Sequence, residues 1–237
     1  MNSDGHRTDS TVAAWQARFV TLSDRWHAVA SVQSTETGDW PRRLGAMKAT
    51  EQRLRQQGRW TRGPEDLMSV CGFHRRELAH SAALRWLCDP SGSHGLGTGF
   101  LSGLLAATGG VPGTTADAEP RTEVVRERSR ADVVVYGADW TLVAELKVDA
   151  TESAEQCQRL FEDWRTEPGV RLVFLTLSGR APATTSTPAA ARAWRRLSWA
   201  GVLDVLDEAV RTTPGNRPEA SAVAEYRRAL RRLVGRR

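Results

Sequence analysis

Glu145 and Lys147 stand two residues apart in the stretch AELKVD, near the end of the apolar run 141–148, and Asp132 heads a second apolar run thirteen residues before Glu145. Side chains alternate along a strand, so Leu142, Ala144, Leu146 and Val148 share one face while Val143, Glu145 and Lys147 share the other. An antiparallel neighbour that begins at Asp132 brings its carboxylate toward Glu145, because directly opposed residues have Cβ atoms about 4.5–5.5 Å apart. Two carboxylates that close repel unless a proton or a cation intervenes. A hard divalent ion suits the gap: Mg²⁺ takes one or two carboxylates and leaves its other positions to water, to a backbone carbonyl such as that of Leu146, and to phosphate oxygens. Such an ion polarises a phosphate and acidifies a bound water, which the Lys147 amine would orient or deprotonate. The same spacing also suits a solvated polar strand end, with Asp132 as a turn residue.

The choice of lysine separates the two readings. Of the 33 Lys and Arg residues only two, Lys48 and Lys147, are lysines. In an arginine-biased chain, a lysine beside a glutamate asks for a chemical reason. An amine can lose its proton in a cationic, partly desolvated site, whereas a guanidinium stays protonated and presents a broad planar fork.

The elements that must position these residues follow from periodicity. Apolar residues at three- and four-residue intervals predict an amphipathic helix over 11–33 (Val12, Trp15, Phe19, Leu22, Trp26, Val29), and a second arm over 41–59 completes a helix hairpin. Two further helices are expected around Leu78–Leu87 and Leu96–Leu104, joined by a turn at Asp89–Gly92. The period then changes to short Val-rich strands at 122–128, 132–136 and 141–148, whose short links predict antiparallel pairing. A helix over 151–164 and a doubly buried strand over 171–177 follow. Residues 178–190 read as a mobile linker. A short strand at 194–198 and helices near 201–212 and 218–234 close the chain. The central order of helix, three strands, helix, strand is an α/β arrangement on one mixed sheet.

Asp132 followed by Glu145-Leu146-Lys147 resembles the signature of the PD-(D/E)XK phosphodiesterase superfamily, which includes restriction endonucleases, junction resolvases and repair exonucleases. Gln156, nine residues after Lys147, is similar to a glutamine that many members carry; the tyrosine usual four residues on is replaced by Leu160, with Phe161 beside it. Glu123 resembles the additional acidic group of some members, and also suits an exposed strand glutamate facing Arg126 or Arg128. The stretch ELAHSAALRWLCDPSGSHGLGTGFL, residues 77–101, is similar to an E..HS..L..LLDP...HG.G..FL segment that precedes the core in one subgroup of nuclease-like proteins.

The resemblance implies a restriction-endonuclease-like core (α-β-β-β-α-β) with an N-terminal helical extension and C-terminal helices. The chain is expected to divide into a helical extension over 1–70 and a nuclease-like domain over 71–237, with helices over 199–237; the resemblance itself covers roughly residues 74–177 and leaves both ends unmatched. It implies Asp132, Glu145 and the Leu146 carbonyl as ligands of Mg²⁺ or Mn²⁺, Lys147 and Gln156 as catalytic partners, and Glu77 as a further acid facing the metal. Phosphodiester hydrolysis is the implied activity, with DNA the favoured nucleic acid. The alternatives are an RNA-cleaving member and a nuclease-fold protein that binds nucleic acid or a protein partner without cutting. A homodimer and a role in phage defence stay open.

Bulk properties are compatible with this. Hydrophobic residues make up 40% and charged residues 26%, and no run reaches the ~18 apolar residues of a membrane span. The first residues carry no secretory pattern, so a cytoplasmic location is expected. Three widely spaced cysteines exclude a disulfide framework or zinc knuckle and read as buried small hydrophobes. Net charge +5 suits a polyanionic partner, with Arg227, Arg228, Arg231 and Arg232 as a basic stripe that also reads as a solvated helix face. Trp140 is the tryptophan best placed for base stacking. His80 and Ser81 are adjacent on a helix and diverge, which excludes an acyl-transfer pair; with His94 they read as structural.

Overall fold

A computed structural model describes residues 15–27, 38–59, 63, 66–110, 114–213 and 222–235. The outer ends of the first expected helix and the start of the last one, at 218–221, lie outside the described residues. The chain divides into two compact units, residues 1–62 and 63–237. The first holds α1 (residues 15–27) and α2 (Trp40–Gln56), where Pro41 occupies the first turn that needs no N–H.

The second unit runs α3 (Leu67–Val70), α4 (Glu77–Leu87), α5 (Gly99–Ala107), β1 (Glu119–Val125), β2 (Arg130–Tyr136), β3 (Thr141–Leu146), α6 (Gln156–Trp164), β4 (Arg171–Thr176), α7 (Pro188–Ala193), β5 (Trp194–Ser198), α8 (Trp199–Thr212) and α9 (Ala222–Leu233). The strands form one sheet in the order β1-β2-β3-β4-β5, antiparallel across the first three and parallel thereafter. β1 begins three residues earlier than its valines suggest and takes in Pro120, which is tolerated in an edge strand.

The two sheet faces follow the alternation. Val133, Val135, Leu142, Ala144 and Leu146 pack with α4, α5, α8 and α9 in the larger core. Val134, Val143 and Phe174 pack with Cys157, Leu160 and Trp164 of α6 on the other face. Every position of β3 is buried, so its charged residue, Glu145, is held inside the protein.

The histidines of the 77–101 segment are structural. His80 is fully buried; its Nε2 donates to the His74 carbonyl at 2.9 Å and its Nδ1 accepts from the Tyr226 hydroxyl of α9 at 3.0 Å. Burial lowers its pKa and keeps the ring neutral. His94 accepts from Leu96 N at 2.9 Å and donates to the Asp89 carbonyl at 2.7 Å, closing the turn between α4 and α5. His80→Ala is expected to cost about 1–3 kcal/mol, because it strands the Tyr226 hydroxyl and the His74 carbonyl without partners. Urea denaturation measures this, and an unchanged midpoint would remove His80 from the packing argument.

Three expectations need correction. Trp140 is 1% exposed, with Nε1 on the Thr114 carbonyl at 3.3 Å, so it fills the core and offers no stacking surface. Cys71 is exposed, unlike the buried Cys88 and Cys157. Residues 178–190, expected to be a mobile linker, are tied down from the core. The Glu152 carboxylate accepts from Ala183 N and Thr184 N, each at 3.0 Å, and Gln158 Oε1 accepts from Ser186 N at 3.0 Å and Thr187 N at 3.2 Å.

Candidate active site

The register Val133↔Ala144 sets Asp132 opposite Glu145 at the end of the sheet where β3 leaves for α6. Asp132 Oδ2 accepts from Leu146 N at 2.7 Å, which locks the carboxylate against β3. Lys147 N bonds the Leu175 carbonyl of β4 at 2.8 Å. A trans peptide sets its C=O opposite its N–H, so the Leu146 carbonyl turns away from β4, to the side where Asp132 stands.

Glu145 is 0% exposed and its two oxygens differ. Oε1 accepts from Lys147 Nζ at 2.6 Å and from Gln156 Nε2 at 2.5 Å. Oε2 is buried with no hydrogen-bond partner. A buried carboxylate oxygen without a donor is costly, and buried polar atoms are otherwise almost always bonded, which sets Oε2 apart from Oε1.

Gln156 reaches Glu145 because α6 begins at Gln156 itself, after a loop in which Glu155 takes the left-handed conformation, φ 54°. The helix therefore starts five residues later than its composition suggests. Leu160, at the position where the resemblance leads one to expect tyrosine, is buried in the α6 core and also forms part of the cleft wall, with no polar group to offer there.

From the other face, α4 delivers Glu77. Its Oε1 accepts from Val148 N at 2.7 Å, pinning the chain as it leaves β3, and its Oε2 lies 3.9 Å from Lys147 Nζ. Glu123 lies opposite Asp132 in β1 with its backbone in the left-handed region, φ 55°, and its carboxylate pairs with Arg130 at 3.0 Å.

Burial pushes the Glu145 carboxyl up to about 8, and the charge of Asp132 adds to the effect. Burial also raises Asp132, against the Leu146 N–H that lowers it. For Lys147, burial works to lower the pKa, but the charge and hydrogen bond of Glu145 and the charges of Asp132 and Glu77 outweigh it and raise the value. That direction is opposite to the one expected of a lysine acting as a base. With three carboxylates facing one amine, the amine keeps its proton and a carboxyl holds another.

Asp132, Glu145, Lys147, Gln156 and Glu77 line one cleft of about 460 Å³. Its rim adds residues that strand and helix patterning did not single out as site residues: Arg126, Arg128 and Arg130 from the β1–β2 hairpin, and Arg159 from α6. Two signals were present: the run RERSR at a hairpin tip, and the one-turn spacing from Gln156 to Arg159. Three of these arginines are already paired: Arg126 with Glu167 at 2.6 Å, Arg130 with Glu123 at 3.0 Å, and Arg128 with Glu162. Among the described residues Arg159 has no carboxylate partner; it bonds the Ala154 carbonyl at 2.5 Å. The α9 arginines are not in the cleft wall: Arg227 holds Asp207 at 2.6 Å, Arg231 approaches the same carboxylate at 3.4 Å, Arg228 holds Glu225, and Arg232 is exposed.

Among the described residues no group of three or more His, Cys, Asp and Glu side chains is assembled to hold an ion. The donor set is therefore two carboxylates, one oxygen of which is unsatisfied, with a backbone carbonyl beside them. That set fits a hard divalent ion which keeps water and phosphate oxygens as its remaining ligands.

A five-stranded mixed sheet with helices on both faces and an acidic, lysine-bearing cleft at its end defines a restriction-endonuclease-like α/β protein. The profile of the PD-(D/E)XK nuclease superfamily matches residues 66–228, well over half of the chain, and the chain belongs to that superfamily. Membership implies phosphodiesterase or nuclease activity in general, and these nucleases generally use divalent metals. No curated protein and no solved structure matches it. Among the described residues no helix is long and apolar enough to cross a membrane.

Proposed function

We propose that the chain is a metal-dependent nuclease that hydrolyses phosphodiester bonds, with DNA the favoured substrate on the resemblance to restriction endonucleases. The observation that carries the reading is the unpartnered, buried Oε2 of Glu145 beside Asp132 and Lys147. Mg²⁺ or Mn²⁺ held by Glu145, Asp132 and the Leu146 carbonyl would supply charge neutralisation at the scissile phosphate and acidify the attacking water.

The chain's own groups divide the remaining work. Gln156 and Lys147 both donate to Oε1 and so leave Oε2 as the presenting oxygen. Lys147, held protonated, orients the attacking water and donates to negative charge that develops on the phosphate. Glu77 holds the backbone beyond Lys147 in place. Arg159, whose charge is uncompensated, draws a phosphate into a cleft that is otherwise rich in carboxylates.

Labelled duplex DNA, single-stranded DNA and RNA, each with Mg²⁺, Mn²⁺ or EDTA, test the reading. Wild type is expected to cut only with metal, and Asp132→Ala is expected to be inactive. Cutting that survives Asp132→Ala removes the site assignment; binding with no cutting on any substrate favours a non-catalytic nucleic-acid-binding protein.

The arginines make a separate prediction. Arg159→Ala is expected to lower the slope of log K against log salt by about one, as for the loss of one phosphate contact. Substitution of Arg228 and Arg231, already neutralised by Glu225 and Asp207, is expected to change it less. Slopes in the reverse order would move the phosphate-binding surface to α9.

A further inference from the structure

On the other side of Lys147 a second hollow, of about 530 Å³, opens at the C-terminal ends of the parallel strands β3 and β4. Lys147 is a wall of both hollows. In open α/β sheets the carboxyl ends of parallel strands are where ligands are received. This volume lies within the range of about 300–1,000 Å³ that accepts a small organic ligand.

Its chemistry differs from that of the catalytic cleft. Val148, Ala150, Leu177 and Ala183 give apolar walls, and Leu177 is 36% exposed. The two carboxylates at its edge are both engaged. Asp149 is clasped by Arg75 through both oxygens, and Glu152, 3% exposed in its side chain, is bonded by Arg180, Ala183 N and Thr184. No free carboxylate in this hollow opposes an anionic chain, in contrast to the cleft beside Asp132 and Glu145.

Arg180 completes the lining. Glu152 holds its Nη1 at 2.5 Å and its guanidinium lies 5.2 Å from the centre of the Phe174 ring, while its side chain stays 44% exposed. A guanidinium fixed in this way loses little freedom when a planar ring settles on it. Asp132 stands level with Glu145, whose partner on β4 is Phe174, so Leu177 lies two strand spacings across and three residues further along, roughly 14 Å from Asp132, and Lys147, a wall of both hollows, is the step between them.

We propose that this second hollow is the subsite for the nucleoside next to the scissile phosphate. The substrate strand crosses the sheet end from the arginine-rimmed cleft, over Lys147, to Arg180. The catalytic consequence rests on the nuclease reading of the cleft, whereas binding in the hollow is testable without it.

Short oligodeoxynucleotides carrying 2-aminopurine at successive positions, titrated with Ca²⁺ in place of Mg²⁺, report base contact directly. Ala183→Trp fills the hollow and Leu177→Ala removes a wall. Both are expected to weaken binding about fivefold and to abolish the fluorescence change at one position. Neither is expected to alter metal-dependent cleavage of bis(p-nitrophenyl) phosphate by more than about twofold, because that diester needs only the cleft. Unchanged affinity in both variants, or an equal loss on the small diester, overturns the subsite. If wild type cleaves neither substrate but the fluorescence differences stand, the nuclease reading fails and the subsite holds. Leu177→Ala decides alone if the tryptophan variant does not fold.

Discussion

Glu145→Gln is expected to abolish metal-dependent cleavage while making the metal-free protein more stable at pH 8. The two effects have one cause. The Glu145 carboxyl, ordinarily near 4.5, is pushed up to about 8 by burial and by Asp132. Its folded pKa is therefore above its unfolded one, so the stability associated with it is fully present below about pH 4.5 and is lost as pH rises through about 8. Glutamine carries no proton to lose, so the metal-free variant escapes that penalty, on the order of a few kcal/mol. Lys147 also has a raised pKa, but its contribution is lost only above the ordinary lysine value of 10.5 and leaves this window untouched. A bound divalent ion keeps Glu145 ionised at no such cost, so the metal-induced rise in Tm of wild type should grow between pH 5 and 8, with proton release on binding. In Glu145→Gln that rise should disappear, and cleavage should fall by at least about 10³-fold, the equivalent of roughly 4 kcal/mol of charge stabilisation. Scanning calorimetry with and without Mg²⁺ at pH 5, 6.5 and 8 measures the metal-free stability and the metal-induced rise, and cleavage of labelled duplex DNA measures the activity. A variant less stable than wild type at pH 8 without metal, or one with an undiminished metal shift, would sink the argument.

The residues behind this prediction were legible in the sequence to different degrees, for physical reasons. Strand alternation is a local property, and it assigned Val143, Glu145 and Lys147 to one face and Leu142, Ala144 and Leu146 to the other; the two cores divide Val143 from Leu142, Ala144 and Leu146 in the same way. The short links of the Val-rich strands implied antiparallel pairing, and with it the approach of Asp132 to Glu145. What pattern does not carry is which polar group meets which across elements. That Gln156 donates to Glu145 depends on α6 beginning at Gln156, which a left-handed residue at 155 decides. The Trp140 indole meets the Thr114 carbonyl, 26 residues away, and the pairing of the hairpin arginines depends on Glu162 of α6 and Glu167 in the turn beyond it. The direction of the Lys147 pKa was missed because it is set by three carboxylates, one of which, Glu77, comes from a helix 70 residues earlier.

Lys147→Arg is expected to lose metal binding as well as cleavage, and the comparison with Lys147→Met isolates why lysine stands there. The ammonium is a point donor: it bonds Oε1 at 2.6 Å and leaves Oε2 without a partner. A guanidinium is a planar fork that pairs with carboxylates through two parallel bonds. Placed beside Glu145, which is itself fully buried, it would take both oxygens and close the position where an ion has to enter. Lys147→Met removes the donor but leaves Oε2 open, so it should retain a metal-induced Tm shift while cleavage falls by about 10²–10⁴-fold, the range for loss of a positioned proton donor or acceptor. Lys147→Arg should show neither the shift nor the activity, although it keeps the charge. Binding of nucleic acid through Arg159 in the absence of metal should be alike in wild type and Lys147→Arg. Full activity in Lys147→Arg would show that charge alone suffices at this position, and a metal shift preserved in Lys147→Arg but lost in Lys147→Met would show that the ammonium supports the ion and does not merely leave room for it.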